Sequence, residues 1–179
     1  MIKVNSFNYY EHKRRCALKD YMTRTSTLTF FFIMAVALVG CFITFTPVAG
    51  GILLDSLGSA SESQQLLASM SDVQKTAHFK ITLWLDMLFP LAYGGFFVGL
   101  TLKYFEQAGR WLVIPAFLVI PIDICENLIQ LLALTGTEDL LHIKAMLTPI
   151  KFMLFNVSAT IATLSLAIGI WRRIAWLRK

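Results

Sequence analysis

The sequence is poor in charged residues and cysteines, and it has none of the motifs that mark common soluble enzymes. Charged residues make up 15% of its 179 residues, whereas soluble domains have about a quarter. Signatures of dinucleotide, nucleotide-phosphate, zinc-protease and serine-hydrolase sites are missing. Cys16, Cys41 and Cys125 are isolated from one another, which excludes a disulfide-rich scaffold and a zinc module. The composition therefore argues against a soluble enzyme or a small secreted domain.

Long apolar stretches are the main feature that the sequence does have. Hydrophobic residues make up 56% of the chain, and the mean hydropathy is +0.64. Four segments, 28–49, 81–102, 111–134 and 144–171, are long enough to cross a hydrocarbon core of about 30 Å as helices. Lipid offers no hydrogen bonds to the backbone. We therefore expect an all-α polytopic membrane protein, an antiparallel four-helix transmembrane bundle.

The distribution of basic residues predicts the orientation of this bundle. One side of the spans carries twelve of them: Lys3, Lys13, Arg14, Arg15, Lys19, Arg24, Lys103, Arg110, Arg172, Arg173, Arg178 and Lys179. The other side carries Lys75, Lys80 and Lys144. Because basic flanks stay in the cytoplasm, we expect a bacterial cytoplasmic (inner) membrane protein with both termini cytoplasmic. The membrane domain, 28–171, then lies between a basic segment, 1–27, and a basic tail, 172–179. Membrane lipids are the expected partners of these basic ends, and nucleic acid is not.

The outer loop between the first two spans predicts a short amphipathic helix. A serine suited to N-capping precedes Leu66, Leu67, Met70, Val73 and Ala77, which recur at helical spacing. We expect this helix to lie on the outer membrane surface or to cap the bundle.

Four charged residues lie within the predicted spans, where a charge requires a partner or a function. They are Asp86, Asp123, Glu126 and Lys151. Helical spacing puts Asp86 on one stripe with Tyr93, and Asp123 on another with Glu126 and Asn127. Lys151 begins a third stripe of small residues on the fourth helix. We expect the three stripes to converge in the outer half of the bilayer, which gives six candidate ligand-binding residues: Asp86, Tyr93, Asp123, Glu126, Asn127 and Lys151.

The charges of this cluster suggest what it does. Three carboxylates against one ammonium leave two negative charges uncompensated, so carboxylates stay protonated, water reaches them, or a cation or basic ligand binds. The first hypothesis is that the protein binds or moves a small ligand, proton or cation, with a small lipophilic or cationic molecule as the ligand. One alternative is a structural or partner subunit of a membrane complex with a buried ion-pair network. Another is a membrane-embedded enzyme acting on a lipid-like substrate, which is less favoured because no catalytic residue can be assigned.

Neither a metal site nor a cofactor is expected from the sequence. No nucleophile or metal-ligand cluster is evident. His78 and His142 fall near the outer ends of spans, at headgroup level, rather than at mid-helix positions where a pair of haem ligands would lie.

A glycine pair in the second span predicts close helix packing. Gly95 and Gly99 form a GxxxG pattern that points away from Asp86. It could seat another helix of the same bundle or a second subunit, so a homo-oligomer through these glycines is one expectation.

Two local patterns carry a resemblance to other proteins. Residues 86–94 read DMLFPLAYG and residues 123–127 read DICEN. These strings resemble a set of uncharacterised small bacterial four-helix integral membrane proteins with D-x-x-F-P-x-x-Y-G and D-x-x-E-N patterns. The resemblance covers roughly residues 50 to 160. It implies the four-helix membrane fold and brings no activity.

Overall fold

The computed structural model describes residues 18–105, 107–137 and 140–178, and these residues form helices and turns without any strand. Residues 18–22 are helical. The further α-helices are α1 (Thr25–Phe45), α2 (Ala60–Ser69), α3 (Asp72–Ile81), α4 (Phe89–Tyr104), α5 (Gly109–Leu112), α6 (Ile114–Leu134) and α7 (Leu141–Leu177). Short 3-10 helices cover Thr46–Ala49 and Leu54–Ser56.

Four helical segments are long and apolar enough to cross a membrane: Thr25–Ala49, Asp72–Tyr104, Gly109–Leu134 and Leu141–Leu177. The prediction of an all-helical chain with four apolar helices is therefore confirmed for the described residues. The boundaries differ from the predicted ones mainly at the second span, which begins at Asp72, and at α7, whose 37 residues continue through most of the expected basic tail. Residues 1–17 of the expected N-terminal segment lie outside the described residues.

The outer loop contains two helices where one was predicted. Ser59 accepts a hydrogen bond from the Glu62 amide at the start of α2, and Ser71 forms a capping box with Gln74 at the start of α3. The extended backbone at Met70 separates the two helices. The prediction of one continuous apolar face is therefore wrong after Met70. Because α3 begins as a separate helix, Val73 no longer shares a face with Leu66 and Leu67, and it is 75% exposed.

The second span contains a π-helical turn, Thr82–Asp86, that joins α3 to α4. Pro90 follows four residues after Asp86. A proline has no amide hydrogen, and in a regular helix its ring clashes with the carbonyl four residues earlier. The wider π turn accommodates this proline and leaves the Asp86 carbonyl available, so that it accepts a hydrogen bond from Asn127 Nδ2 at 2.9 Å. The local sequence thus links the second span to α6.

The glycine pair of the second span contacts α1 of the same chain. A Cβ at Gly95 would lie 2.7 Å from Phe31 Cζ, and a Cβ at Gly99 would lie 2.5 Å from Leu28 Cδ2. Of the two partners that the sequence left open, the structure therefore places a helix of the same chain against these glycines.

Contacts between helix ends define two ends of the molecule. At one end, Lys103 Nζ donates a hydrogen bond to Thr25 Oγ1 at 3.0 Å, and Gly169 lies against the Tyr104 ring. The start of α1, the end of α4 and the last third of α7 meet there. At the other end, the turn around Leu54 packs against α2, the end of α6 and the start of α7 through Leu54, Leu67, Ala133 and Leu141. We call these the basic end and the capped end.

Candidate functional site

The three predicted polar stripes come together between α4, α6 and α7. Lys151 Nζ on α7 lies 2.7 Å from Glu126 Oε2 and 3.6 Å from Asp123 Oδ1. Tyr93 on α4 donates a hydrogen bond from its hydroxyl to Asp123 Oδ2 at 2.8 Å. All four side chains are buried. Helical spacing brings them together because α6 packs along α7 and both contact α4.

Asp86 and Asn127 also lie in this cluster, but they contact each other through the Asp86 backbone and not through the Asp86 side chain that the helical spacing suggested. Asn127 binds the Asp86 backbone carbonyl, and its own side-chain oxygen accepts from Gln130 Nε2 at 3.3 Å. The Asp86 side chain is 6% exposed, and its Oδ2 receives no hydrogen bond from any residue that the structure describes. All six predicted site residues are thus in one region, but the Asp86 carboxylate has no ion-pair partner among the described residues.

Sequence reasoning missed Asp55, which forms a close ion pair with Lys151. Asp55 lies on the 3-10 turn of the capped end, in a loop that was assigned to the outside of the bundle. Asp55 Oδ1 also accepts a hydrogen bond from Gln130 Nε2 at 3.4 Å. The signal in the sequence was an acid within the apolar run ILLDSL, because the apolar neighbours bury the turn against the helices.

Sequence reasoning also missed Lys144 and Thr148. Lys144 was counted as an outer flanking charge, yet its side chain is 0% exposed. Its Nζ donates to the Leu57 carbonyl at 2.6 Å and lies 3.7 Å from Glu126 Oε1, which also accepts from Thr148 Oγ1 at 2.6 Å. The expectation that Lys151 is the only cation is therefore wrong. The spacing of Lys144, Thr148 and Lys151 on one helical face was the available signal.

The cluster still has the excess of two negative charges that the sequence predicted, although the charged residues that produce it are different. The charged residues are four carboxylates (Asp55, Asp86, Asp123 and Glu126) and two ammonium groups (Lys144 and Lys151). Two negative charges remain in excess when all six are ionised. Desolvated charges are stabilised only by close, well-oriented partners, and Asp86 is the carboxylate that has none among the described residues. We call these six residues, with Tyr93, Asn127, Gln130 and Thr148, the polar cluster.

An aromatic layer borders the polar cluster on the side toward the basic end. The Tyr93 ring contacts the rings of Phe89, Phe97 and Phe155, with centroids 5.1, 5.7 and 5.0 Å away. The Tyr93 hydroxyl points to Asp123, so this side chain joins the polar and the aromatic layers. On the opposite side Asp55, with 27% of its side chain exposed, is the most exposed charged member. The cluster is therefore closest to solvent at the capped end.

His78 is also part of the capped end. Its side chain is fully buried, and its Nε2 accepts a hydrogen bond from the Leu54 amide at 3.3 Å. The turn around Leu54 covers His78, whereas His142 is exposed. The headgroup-level depth of both residues stays a prediction. His78 fixes the turn that carries Asp55.

The added carboxylate also changes the expectation about metal ions. Asp55, Asp123 and Glu126 each have an oxygen within 4.8 Å of the others. Carboxylate oxygens at such spacing are suited to hard cations. No metal site was predicted from the sequence, because helical spacing does not show that Asp55 of the loop lies next to Asp123 and Glu126 of α6.

No family model, curated protein or solved structure matches the chain. The resemblance to small bacterial membrane proteins stays a prediction, and the function has to be argued from the polar cluster itself.

Proposed function

We propose that the chain is an integral protein of the bacterial cytoplasmic membrane, with its four apolar helices arranged as an antiparallel bundle. The meeting of Thr25, Lys103 and Gly169 at the basic end supports opposite directions for neighbouring helices. Arg24 and Arg110 adjoin the same end in sequence. Basic flanks of spans remain in the cytoplasm, so both termini lie there and the capped end faces outward.

This topology is tested by cysteine labelling in a background without the native cysteines. Ser61→Cys on α2 and Ser69→Cys at its end carry exposed side chains and should react with a membrane-impermeant reagent added to intact cells. Arg178→Cys should react only after the membrane is opened. Labelling of Arg178→Cys from outside would contradict the four-span topology.

The proposed function of the polar cluster is to bind a small ligand or cation in the outer half of the membrane. One observation carries this proposal: three buried carboxylates and two buried ammonium groups lie together with the partly exposed Asp55, and two negative charges are in excess. Buried uncompensated charge costs several kcal/mol in proteins. A bound cationic or hydrogen-bond-donating ligand compensates that charge and gives a reason for keeping the cluster in an apolar protein.

The position of the polar cluster fits a ligand-binding site better than it fits a path for transport across the membrane. The aromatic layer around Tyr93 separates the polar cluster from the basic end, whereas Asp55 brings it close to solvent at the capped end. A site reached from one side needs no polar path toward the cytoplasm.

A purely structural ion-pair network is the competing function, and one observation favours it. Lys144 and Lys151 form ion pairs with Glu126, which also accepts a hydrogen bond from Thr148. Lys151 forms an ion pair with Asp123, which accepts a hydrogen bond from Tyr93. The centre of the cluster therefore has the complementary pairs that a network holding helices in register requires.

The double variant Lys151→Met, Asp123→Asn separates the two functions. It removes one charge of each sign, so the net charge is unchanged, and the surface pair Lys80→Met, Asp72→Asn is the matched control. Native mass spectrometry of the gently solubilised wild-type protein should show a bound small ligand or ion. If the cluster binds that ligand, the double variant folds but loses both the bound mass and the thermal stabilisation that the ligand confers. Full retention of both would favour the structural network.

A further inference from the structure

The three carboxylates around Lys151 have the spacing of a metal site. Oxygens that coordinate one Ca²⁺ at about 2.3 to 2.6 Å lie at most about 5 Å apart. The oxygens of Asp55, Asp123 and Glu126 lie within 4.8 Å of one another. Lys151 forms ion pairs with all three, so its ammonium group lies where a metal ion would be coordinated.

Two further buried oxygens favour a cation at this place. Gln130 is 0% exposed and its Oε1 accepts no hydrogen bond from any described residue, although its Nε2 donates to Asp55. Asp86 Oδ2 is buried and equally without a donor among the described residues. Leaving a buried acceptor without a partner costs about 1–3 kcal/mol. Both atoms are oxygen acceptors: the ion or its bound water can satisfy Gln130, and a displaced ammonium group can satisfy Asp86.

The charge balance favours a divalent ion. The polar cluster has two negative charges in excess when its six charged residues are ionised, so one divalent cation makes the sum zero. A monovalent ion would leave one negative charge. Carboxylate and amide oxygens are the preferred ligands of Mg²⁺, Ca²⁺ and Mn²⁺, and the cluster has no sulfur ligand among its members.

An ion among the three carboxylates requires a second position for the Lys151 ammonium. Asp86 provides it, because Asn127 on α6 holds the Asp86 carbonyl beside the cluster at 2.9 Å and the Asp86 carboxylate has no ion-pair partner among the described residues. A lysine has a flexible four-carbon stem, so its ammonium can change partners without a movement of the helix.

We infer that the polar cluster binds one divalent cation of the Mg²⁺, Ca²⁺ and Mn²⁺ class through Asp55, Asp123 and Glu126, and that Lys151 moves to Asp86 when the ion binds. This inference rests on the proposed ligand-binding function and specifies its ligand. Without the ion, the Lys151 ammonium is the cation that pairs with these three carboxylates. The exchange of one cation for the other keeps Asp55, Asp123 and Glu126 next to a cation in both states, and the ion-bound state also gives Asp86 a partner.

Mn²⁺ is the probe for this site, because its electron paramagnetic resonance signal counts the free ion. Full-length protein in detergent, first treated with a chelator, should bind one Mn²⁺ per chain in a saturable manner. Its thermal midpoint should rise with Mn²⁺ but not with NaCl of equal ionic strength. Absence of saturable Mn²⁺ binding to the wild-type protein would overturn the inference.

Variants of the cluster test the ligands and the lysine exchange separately. Asp123→Asn and Glu126→Gln each remove a charged ligand and should abolish Mn²⁺ binding, and the use of two variants guards against misfolding of either. Exposed Asp72→Asn on α3 is the control and should bind like the wild type. Asp86→Asn should weaken binding about tenfold, the usual effect of losing a group that supports metal ligands. Unchanged binding in both ligand variants would refute the site, and unchanged binding in Asp86→Asn would refute the exchange.

The metal inference can fail while the proposed ligand-binding function still holds. Suppose that the wild-type protein binds no Mn²⁺ but carries an organic ligand that the double variant Lys151→Met, Asp123→Asn loses. The metal inference is then overturned and the proposed function stands. If neither an ion nor an organic ligand is bound, both are overturned.

Discussion

The two halves of the molecule are held together by different interactions. Toward the capped end, α6 and α7 meet through buried charges and hydrogen bonds around Lys151 and Glu126. Toward the basic end, α1, α4 and α7 meet through glycines, aromatic rings and the apolar residues Leu28, Leu100 and Ala162. In the first half, complementary charge selects the arrangement. In the second half, shape selects it, because small residues allow helix backbones to approach closely.

This difference has a consequence for ligand binding. Charged groups can exchange partners when an ion or ligand arrives, and the Asp86 carboxylate is without a partner among the described residues. Packed glycines and rings have no comparable second arrangement, because close packing resists partial displacement. The proposed ligand binding therefore involves the polar half, and the apolar half forms the closely packed frame.

The largest expected effect comes from removing the central cation of the polar half. Lys151→Met leaves Asp55, Asp123 and Glu126 facing one another, and breaking a buried ion pair typically costs about 3–5 kcal/mol. We expect a fall of this size in the free energy of unfolding, measured by denaturation in detergent. Exposed Lys80→Met is the control and should change little. Wild-type stability of Lys151→Met would mean that charge does not hold this half together.

The second largest effect should come from the apolar contact that closes the capped end. Leu67 is 1% exposed and packs against Leu54, Ala133 and Leu141. Leu67→Ala removes this buried surface, and such truncations cost about 2–5 kcal/mol in well-packed cores. Val73→Ala is the matched control, because Val73 is 75% exposed and should cost less than about 0.5 kcal/mol in water. Equal effects would contradict the break between α2 and α3.

Packing in the apolar half should respond to added volume. A Cβ at Gly95 would lie between 2.7 and 2.9 Å from three atoms of the Phe31 ring, and such overpacking costs about 1–3 kcal/mol. We expect Gly95→Ala to lower the thermal midpoint. Gly40→Ala on α1 is the control, because no atom lies within 4 Å of its added Cβ.

A second substitution identifies the cause of that loss. Phe31→Leu shortens the side chain that meets the new methyl group, so Gly95→Ala combined with Phe31→Leu should recover part of the stability. Absence of any recovery would mean that Gly95 contacts something other than α1, such as a second subunit.

The sequence predicted the helices and the centre of the site because both follow from local spacing. Apolar length indicated the four spans, and the 3.6-residue period placed Asp86, Asp123, Glu126 and Lys151 on inward faces. The period cannot predict which loop residue folds back onto a helix. Asp55 reaches Lys151 only because Leu54 anchors the turn in the core of the capped end, and that contact joins residues far apart in the chain.

Hydropathy also misplaced Lys144, for a different physical reason. A lysine near a helix end normally extends its ammonium to the interface. Here its ammonium group donates a hydrogen bond to the Leu57 carbonyl and forms an ion pair with Glu126 instead, so that it stays inside. The π turn was equally outside the prediction, although Pro90 gave a reason for irregular hydrogen bonds one turn earlier.

The smallest effect on stability should come from the variant Asp55→Asn. This variant tests whether solvent reaches the capped end more easily than the basic end. The Asp55 side chain is 27% exposed, and ion pairs that water reaches contribute about 0–1 kcal/mol. We therefore expect Asp55→Asn to fold and to lower stability by about 1 kcal/mol or less. Its main effect should be on the turn Leu54–Ser56, which loses its ion pair to Lys151 but keeps the hydrogen bond from Leu54 to His78. Hydrogen exchange of this turn should become faster in Asp55→Asn, while exchange around Gly95 stays as in the wild type. Equal acceleration at both places would mean that the capped end and the basic end open together, and the proposed access from the outer side would then lose its support.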